Sequence, residues 1–118
     1  MSASGFRQFD TLAVVGLGLI GGSFAMDVRR LGLAKRILGY DNNPEYNAEI
    51  SSRNLVDYLA EAPDSKLAEA QLVMLAVPVK AFAEVLSNIR PHLSASVILT
   101  DTGSVKSPLL QMMRAPEY

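Results

Sequence analysis

A glycine-rich segment near the start of the chain constrains the possible folds more than any other feature. Residues 16–21 read GLGLIG, a G-x-G-x-x-G pattern that Gly22 and Ser23 extend. The pattern follows a short apolar run, TLAVVG at residues 11–16, and precedes apolar residues at helical spacing. Glycines cluster in many turns, but this order predicts a buried strand that a tight turn joins to a helix.

The rest of the sequence alternates short apolar strands with amphipathic helices. Strands are predicted at residues 11–16, 36–41, 71–77 and 96–101, with a small edge strand at 55–59. Helices are predicted at residues 20–31, 44–52, 79–90 and 105–115, the last capped by either Ser104 or Ser107. This alternation predicts an α/β fold with a Rossmann-like, doubly wound parallel sheet. The expected organisation is a leader, residues 1–10, and one partial domain, residues 11–118.

In such a fold the glycine turn binds the diphosphate of a dinucleotide against the N–H groups that begin the helix. Gly16 allows the tight turn, Gly18 lets the backbone approach the diphosphate, and Gly21 lets the helix lie close to the strand. The predicted cofactor-binding residues of this segment are Gly16, Gly18, Leu19, Ile20 and Gly21. The alternative is a glycine-rich corner that binds nothing.

An acidic residue follows the second predicted strand, where a ribose-binding carboxylate is expected. Asp41 lies 20 residues after Gly21 and ends the segment RILGYD. Its carboxylate would accept hydrogen bonds from both ribose hydroxyls and repel a 2′-phosphate, and neither Asn42 nor Asn43 supplies a compensating positive charge. These residues predict NAD rather than NADP as the cofactor. The alternative is an aspartate that only caps the turn before Pro44.

Two further strand ends are predicted at the same edge of the sheet, where the ligand crevice of this fold lies. Val77 and Pro78 are predicted to contact the cofactor, with a plain strand-to-helix corner as an equal alternative. The segment TDTGSVK, after the last predicted strand, brings hydroxyls, a carboxylate, a glycine and an amine to this edge. We expect Thr102 and Gly103 to contact the cofactor and Ser104 to position the substrate, although Ser104 also suits a helix cap.

Composition and charge exclude several classes of function. The 118 residues include 11 Lys and Arg against 12 Asp and Glu, and this balance predicts no general attraction to nucleic acid or anionic membranes. The absence of Cys excludes a thiolate zinc site and a cysteine nucleophile, and no metal site is predicted. His92 precedes the last predicted strand, at the end of the sheet away from the crevice, and is therefore not the expected catalytic base.

The uncharged stretch at residues 11–26 predicts neither a membrane span nor a signal peptide. It has 16 residues, of which four are Gly, whereas roughly 20 apolar residues are needed to cross a bilayer. Only Arg7 supplies a positive charge before it, and Asp10 adjoins it. With neither an export signal nor Cys, we expect a cytoplasmic protein.

Four segments together resemble the prephenate and arogenate dehydrogenases. The GGS that follows the glycine pattern and the D-x-G-S-V-K segment are the most specific parts of this resemblance, which extends through nearly the whole chain in order. The four segments are VVGLGLIGGSFA at residues 14–25, GYD at 39–41, LVMLAVPV at 72–79 and LTDTGSVK at 99–106.

The resemblance implies NAD-dependent oxidative decarboxylation of prephenate to 4-hydroxyphenylpyruvate, or of arogenate to tyrosine, in tyrosine biosynthesis. It implies that Ser104 lies near the substrate hydroxyl and near a catalytic histidine one strand beyond this chain. It also implies a helical dimerisation domain that this chain lacks, so we expect a homodimeric parent and a chain that binds NAD without turnover. Another β-hydroxyacid-dehydrogenase-like enzyme and a non-catalytic NAD-sensing module are the alternatives.

Overall fold

The central strand of the sheet, β1 (Phe9–Val15), is buried over its last five residues because both of its faces are covered. The computed structural model describes residues 8–101. In this range β1 pairs in parallel with β2 (Ala34–Tyr40) and with β4 (Leu72–Leu75). The outer strands are β3 (Tyr58–Ala60) and β5 (Ile98–Asp101), and the order is β3-β2-β1-β4-β5.

Helices connect the parallel strands. α1 (Leu19–Leu31) follows β1, α2 (Pro44–Ser52) follows β2, and α3 (Phe82–Ile89) follows β4. Gly32 ends α1 in the left-handed conformation, and the Asn43 side chain caps α2 by accepting hydrogen bonds from its first N–H groups. Short 3-10 turns lie at Ser65–Glu69, Val79–Ala81 and Arg90–His92.

Two apolar cores lie on opposite faces of the sheet, because successive residues of a strand point to opposite sides. Leu12 of β1 packs in a cluster with Phe24 and Val28 of α1. The next residue, Ala13, packs on the other face in a cluster with Ile89 of α3. This parallel sheet with both faces covered confirms the predicted Rossmann-like, doubly wound fold.

The strand order places a switch point between β1 and β4. From β1 the chain builds outward through β2 and β3, and then crosses to β4 and β5 on the other side. At such a point the connections after the two central strands diverge and leave a crevice at their carboxyl ends. The segments that follow Val15 and Leu75 border this crevice.

β1 begins at Phe9, two residues before the strand predicted at residues 11–16. The Phe9 N–H donates to the Leu33 carbonyl oxygen at 2.9 Å, which extends the pairing with β2 by two residues. Other strand and helix ends differ from the predicted ones by at most three residues. β3 begins at Tyr58 rather than at residue 55, because Asp57 uses both its N–H and its carboxylate to bind the backbone of Ile37. The helix predicted at residues 105–115 lies outside the described residues.

The turn between β1 and α1 leaves no room for a side chain at two of its glycines. Gly16 has a φ of 100°, and a Cβ there would lie 2.5 Å from the Ala76 carbonyl oxygen. A Cβ at Gly21 would lie 1.7 Å from the Gly16 carbonyl oxygen, so α1 lies directly against the turn that precedes it. These contacts are with backbone atoms, which cannot rotate away, and the fold therefore requires glycine at both positions.

Two adjacent glycines of α1, Gly21 and Gly22, differ in the space that they leave for a side chain. We expect Gly21→Ala to lower the free energy of unfolding by at least about 3 kcal/mol, because the methyl group would push α1 off the turn. Gly22→Ala is the matched control, since a Cβ there would meet its nearest atom, Ile50 Cδ1, at an ordinary 3.5 Å. The control should be neutral or up to about 1 kcal/mol more stable, as alanine favours a helix. Urea unfolding measures both values, and equal stabilities of the two variants would contradict the packing described.

Candidate functional site

Hydrogen bonds to the ends of β2 and β4, the two neighbours of β1, fix the turn between β1 and α1 at the crevice. The Gly16 N–H donates to the Tyr40 carbonyl oxygen at 2.8 Å, at the end of β2. On the other side, the Ala76 N–H donates to the Val15 carbonyl oxygen at 2.8 Å, just beyond β4. The start of α1 therefore has a defined position at the carboxyl edge of the sheet.

Gly18, immediately before α1, is a glycine that the described part of the fold does not require. Its φ of −70° and ψ of −157° suit any residue, and the nearest described atom to a Cβ there, on the Tyr46 ring, would be at an ordinary 3.4 Å. The first N–H groups of a helix have no intrahelical partner, and no side chain in residues 8–101 caps those of α1. The apolar side chains of Leu19 and Ile20 are 87% and 58% exposed beside them. A glycine without a role in folding, placed before uncapped N–H groups, is suited to close approach by an anion.

Tyr46 is a neighbour of this turn for which the sequence pattern gives no signal. It lies in the first turn of α2 and is 43% exposed. Its ring faces the position that a Gly18 Cβ would occupy, with the hydroxyl oxygen at 3.7 Å. Helical spacing places it on α2, but only the tertiary fold brings that helix to the glycine turn.

Asp41 ties the glycine turn to the start of α2. Its Oδ2 accepts a hydrogen bond from the Leu17 N–H at 2.6 Å, and its Oδ1 accepts one from the Asn43 N–H at 2.8 Å. Its backbone carbonyl accepts from the Asn47 Nδ2 at 2.7 Å, and its own N–H donates to the Ala60 carbonyl at 3.2 Å. The structure thus shows the turn-capping role, and the ribose-binding role stays a prediction. The two roles are compatible, because each carboxylate oxygen has a second lone pair.

A cleft opens beside Asp41, between the ends of β1 and β2, the loop after β3, and α3. Two carboxylates, those of Asp41 and Glu61, border it, and no Lys, Arg or His is among its described lining residues. The lining residues from the loop after β3 and from α3 are marked by no motif in the sequence. The lining consists of Val15, Gly16, Tyr40, Asp41, Asn42, Glu61, Pro63, Val77, Val85 and Asn88.

The other predicted site residues lie in different places relative to the cleft. Val77 lines the cleft, whereas Pro78 is exposed and precedes the 3-10 turn Val79–Ala81. Thr102, Gly103 and Ser104 lie outside the described residues, directly after β5. His92 ends the 3-10 turn before β5, at the end of the sheet opposite the crevice.

A cluster of one carboxylate and two tyrosine hydroxyl groups lies next to the cleft, beneath the loop that follows β3. Asp64 accepts hydrogen bonds from the hydroxyl groups of Tyr40 (2.9 Å) and Tyr58, and from the Lys66 N–H (3.1 Å). The two tyrosine rings meet edge to face with their centroids 6.2 Å apart. Three donors on one carboxylate fix the loop against β2 and β3.

The cluster shifts the ionisation of its members. Burial, together with the hydrogen bond to Asp64, raises the pKa of Tyr40 far above its usual value, and the hydrogen bond to Asp64 also raises the pKa of Tyr58. Burial alone would raise the pKa of Asp64, but the hydrogen bonds from Tyr58, Tyr40 and the Lys66 N–H outweigh it and lower the pKa overall. At neutral pH the cluster therefore holds one ionised carboxylate and two protonated phenols.

The raised tyrosine pKa values make the fold sensitive to alkali. The contribution of Tyr40 is fully present below the pKa of an unfolded tyrosine, near 10, and is lost as the pH rises further, because only the unfolded chain then releases the proton. We expect the free energy of unfolding to fall more steeply above pH 10 than in Tyr40→Phe, by up to about 1.4 kcal/mol per pH unit. Urea unfolding between pH 8 and 11.5 measures both slopes. Parallel slopes would contradict the buried phenol–carboxylate pair.

Two other kinds of feature are absent from the described residues. No helix within residues 8–101 is long and apolar enough to cross a membrane. The same range contains no group of three or more His, Asp or Glu side chains arranged to hold a metal ion.

Comparison with known proteins identifies the family. Residues 24–116 match the model of the prephenate dehydrogenase nucleotide-binding domain. Cyclohexadienyl dehydrogenase of Zymomonas mobilis is 33% identical over 90% of this chain and 36% of its own length. Prephenate dehydrogenase from A. aeolicus, solved in complex with hydroxyphenyl propionate and NAD+, has a TM-score of 0.75 at 32% identity, over 91% of this chain and 38% of that one. For Synechocystis arogenate dehydrogenase the TM-score is 0.71 at 36% identity, over 84% and 34%.

The chain thus spans little more than a third of the length of the relatives it matches. The matched part contains most of α1 and all of the described residues that follow it. The family match extends over more than half of the chain. The chain belongs to the family of prephenate dehydrogenase nucleotide-binding domains.

Proposed function

We propose that this chain is the NAD-binding domain of a prephenate or arogenate dehydrogenase. The observation that carries this proposal is Gly18, because a Cβ there would make only an ordinary 3.4 Å contact with the Tyr46 ring, so the described fold itself does not require glycine at this position. The uncapped start of α1 directly after it offers N–H groups and a partial positive charge to a diphosphate. The family match and the NAD+ in the A. aeolicus relative support the same assignment.

The residues of the crevice fit the parts of a dinucleotide. The N–H groups of Leu19 and Ile20 suit the diphosphate, and Asp41 has lone pairs left for the ribose hydroxyls. The cleft between Pro63 and Val77 suits the adenine base. When bound, NAD supplies a nicotinamide ring that accepts a hydride. This chain's own residues bind and orient that cofactor.

The charges around the cleft favour NAD over NADP. Asp41 and Glu61 both border the cleft, and its described lining residues include no cation to neutralise a 2′-phosphate. Both carboxylates would repel a 2′-phosphate placed beside them. We therefore propose that discrimination against NADP comes from these two carboxylates together.

The reaction of the whole protein is proposed from the family. It is oxidative decarboxylation of prephenate or arogenate in tyrosine biosynthesis, with Thr102 and Gly103 at the cofactor and Ser104 at the substrate. We expect the 118-residue chain alone to bind NAD without turning over prephenate. A cytoplasmic location and a homodimeric parent protein are further parts of this proposal.

Gly18→Ala tests the observation on which the assignment depends. We expect the affinity for NAD to fall at least about tenfold, because the new methyl group would occupy the space that the diphosphate needs. The free energy of unfolding should change by less than about 1 kcal/mol, since the same methyl group makes only an ordinary contact with Tyr46. Calorimetric titration with NAD and urea unfolding measure the two quantities. Wild-type affinity in Gly18→Ala would contradict the proposal.

Substitution of Asp41 tests the choice of cofactor. We expect Asp41→Ala to weaken NAD binding and to relax the discrimination against NADP. Asp41→Asn retains an oxygen for the backbone N–H groups, so it should keep the turn better while lowering the ratio of NADP to NAD dissociation constants at least about tenfold. Titration of each variant with both cofactors measures this ratio. Equal affinities of the wild-type chain for NAD and NADP would contradict the role given to Asp41.

A further inference from the structure

The loop after β3 forms the outer wall of the cleft. We call residues 61–64 the wall loop; two of its members, Glu61 and Pro63, line the cleft opposite Val77 and Val85. The loop is short, and Glu61 is exposed to solvent. Its position decides how wide the cleft is, so whatever holds it also shapes the space beside Asp41.

Hydrogen bonds anchor both ends of the wall loop to β2. At its beginning, Ala60 pairs with Tyr40, and the Ala60 carbonyl accepts a hydrogen bond from the Asp41 N–H at 3.2 Å. At its end, Asp64 accepts the Tyr40 hydroxyl at 2.9 Å and the Tyr58 hydroxyl. Two adjacent residues at the end of β2 therefore bind the two ends of the loop: Asp41 binds its beginning through the backbone N–H, and Tyr40 binds its end through the side-chain hydroxyl.

The cluster is more elaborate than a helix cap requires. To cap the 3-10 turn Ser65–Glu69, Asp64 needs only its 3.1 Å hydrogen bond from the Lys66 N–H. The two tyrosine hydroxyl groups add connections to β2 and β3, and Tyr40 is buried to 1% exposure. The Lys66 ammonium lies 5.4 Å from the centre of the Tyr58 ring and adds a cation–π contact. These contacts of Asp64 and Lys66 restrict the end of the wall loop that is farther along the chain from Asp41.

We propose that Asp64 is a positioning residue for dinucleotide binding, which holds the wall loop against Tyr40 and Tyr58 so that the cleft is already shaped for the adenine base. This inference rests on the proposed function. A loop that is ordered before binding spares the ligand the entropy cost of ordering it, which for a few residues amounts to a factor of about three to ten in affinity. Asp64 is the last residue of the wall loop and binds the side chains of β2 and β3, so its effect on the ligand is indirect.

The test compares NAD binding by the 118-residue chain and two variants. Asp64→Ala removes all three acceptor contacts, and Asp64→Asn retains an oxygen for one or two of them. We expect the dissociation constant for NAD to increase about three- to tenfold in Asp64→Ala and less in Asp64→Asn. If Asp64→Ala does not fold, the comparison rests on Asp64→Asn and on Tyr58→Phe, which removes one donor and leaves the carboxylate in place.

A matched control separates positioning from a general loss of stability. The Asp57 carboxylate also binds backbone, accepting the Ile37 N–H at 2.8 Å, but Asp57 lies just before β3, at the end of that strand away from the cleft. Asp57→Ala should lower the free energy of unfolding while the affinity for NAD stays unchanged.

A second readout reports the base itself. The fluorescent analogue 1,N6-ethenoadenine dinucleotide, bound to each variant, can be exposed to acrylamide as a quencher. We expect the bound base to be more accessible to acrylamide in Asp64→Ala than in the wild type or in Asp57→Ala, because a loose wall loop covers it less.

The outcomes distinguish this inference from the proposed function. Failure of the wild-type chain to bind NAD would overturn the proposed function and the inference with it. NAD binding by the wild type, together with equal affinity and equal quenching in Asp64→Ala, would overturn the inference alone. Equal loss of affinity in Asp57→Ala and Asp64→Ala would also overturn it, because the effect would then follow stability.

Discussion

The contact between α1 and the turn that precedes it determines where the binding crevice lies. A Cβ at Gly21 would come within 1.7 Å of the Gly16 carbonyl oxygen, so the helix and the end of β1 are as close as their backbones permit. That turn is itself held by hydrogen bonds from Gly16 to β2 and from Ala76 to β1. The start of the helix therefore has one position relative to the sheet, and this fixes the N–H groups proposed to bind a diphosphate.

Two carboxylates extend this order from the turn to the rest of the crevice. Asp41 binds Leu17 in the turn and Asn43 at the start of α2, and it is the residue proposed to bind the ribose. Asp64 performs a similar task for the loop after β3 by accepting the hydroxyl groups of Tyr40 and Tyr58. Both carboxylates are half-buried, and several hydrogen-bond donors stabilise each of them, as the free energy of desolvation requires. The walls of the crevice are consequently ordered before a ligand arrives.

Local sequence signals predicted much of this fold, and tertiary contacts explain the remainder. The apolar runs and the glycine and proline residues placed the central strands and α2, because burial on both faces and helix capping leave a local pattern. The inclusion of Phe9 in β1 was not predictable in this way, since it depends on pairing with β2. In the site, Gly16, Gly21 and Asp41 follow from a motif with fixed spacing. Tyr46 comes to the glycine turn, and Asp64 to the hydroxyl groups of Tyr40 and Tyr58, only through tertiary packing, and no local pattern marks either residue.

The other assignments in the crevice follow from dinucleotide binding at the start of α1, as proposed above. Titration of the isotopically labelled chain with NAD, followed by amide NMR, tests this binding site. We expect the N–H signals of Leu19 and Ile20 to shift in a saturable manner, while that of Lys35, at the opposite end of the sheet, stays in place. Saturable binding that leaves the two helix-start amides unchanged, or no binding at all, would contradict a binding site at the start of α1.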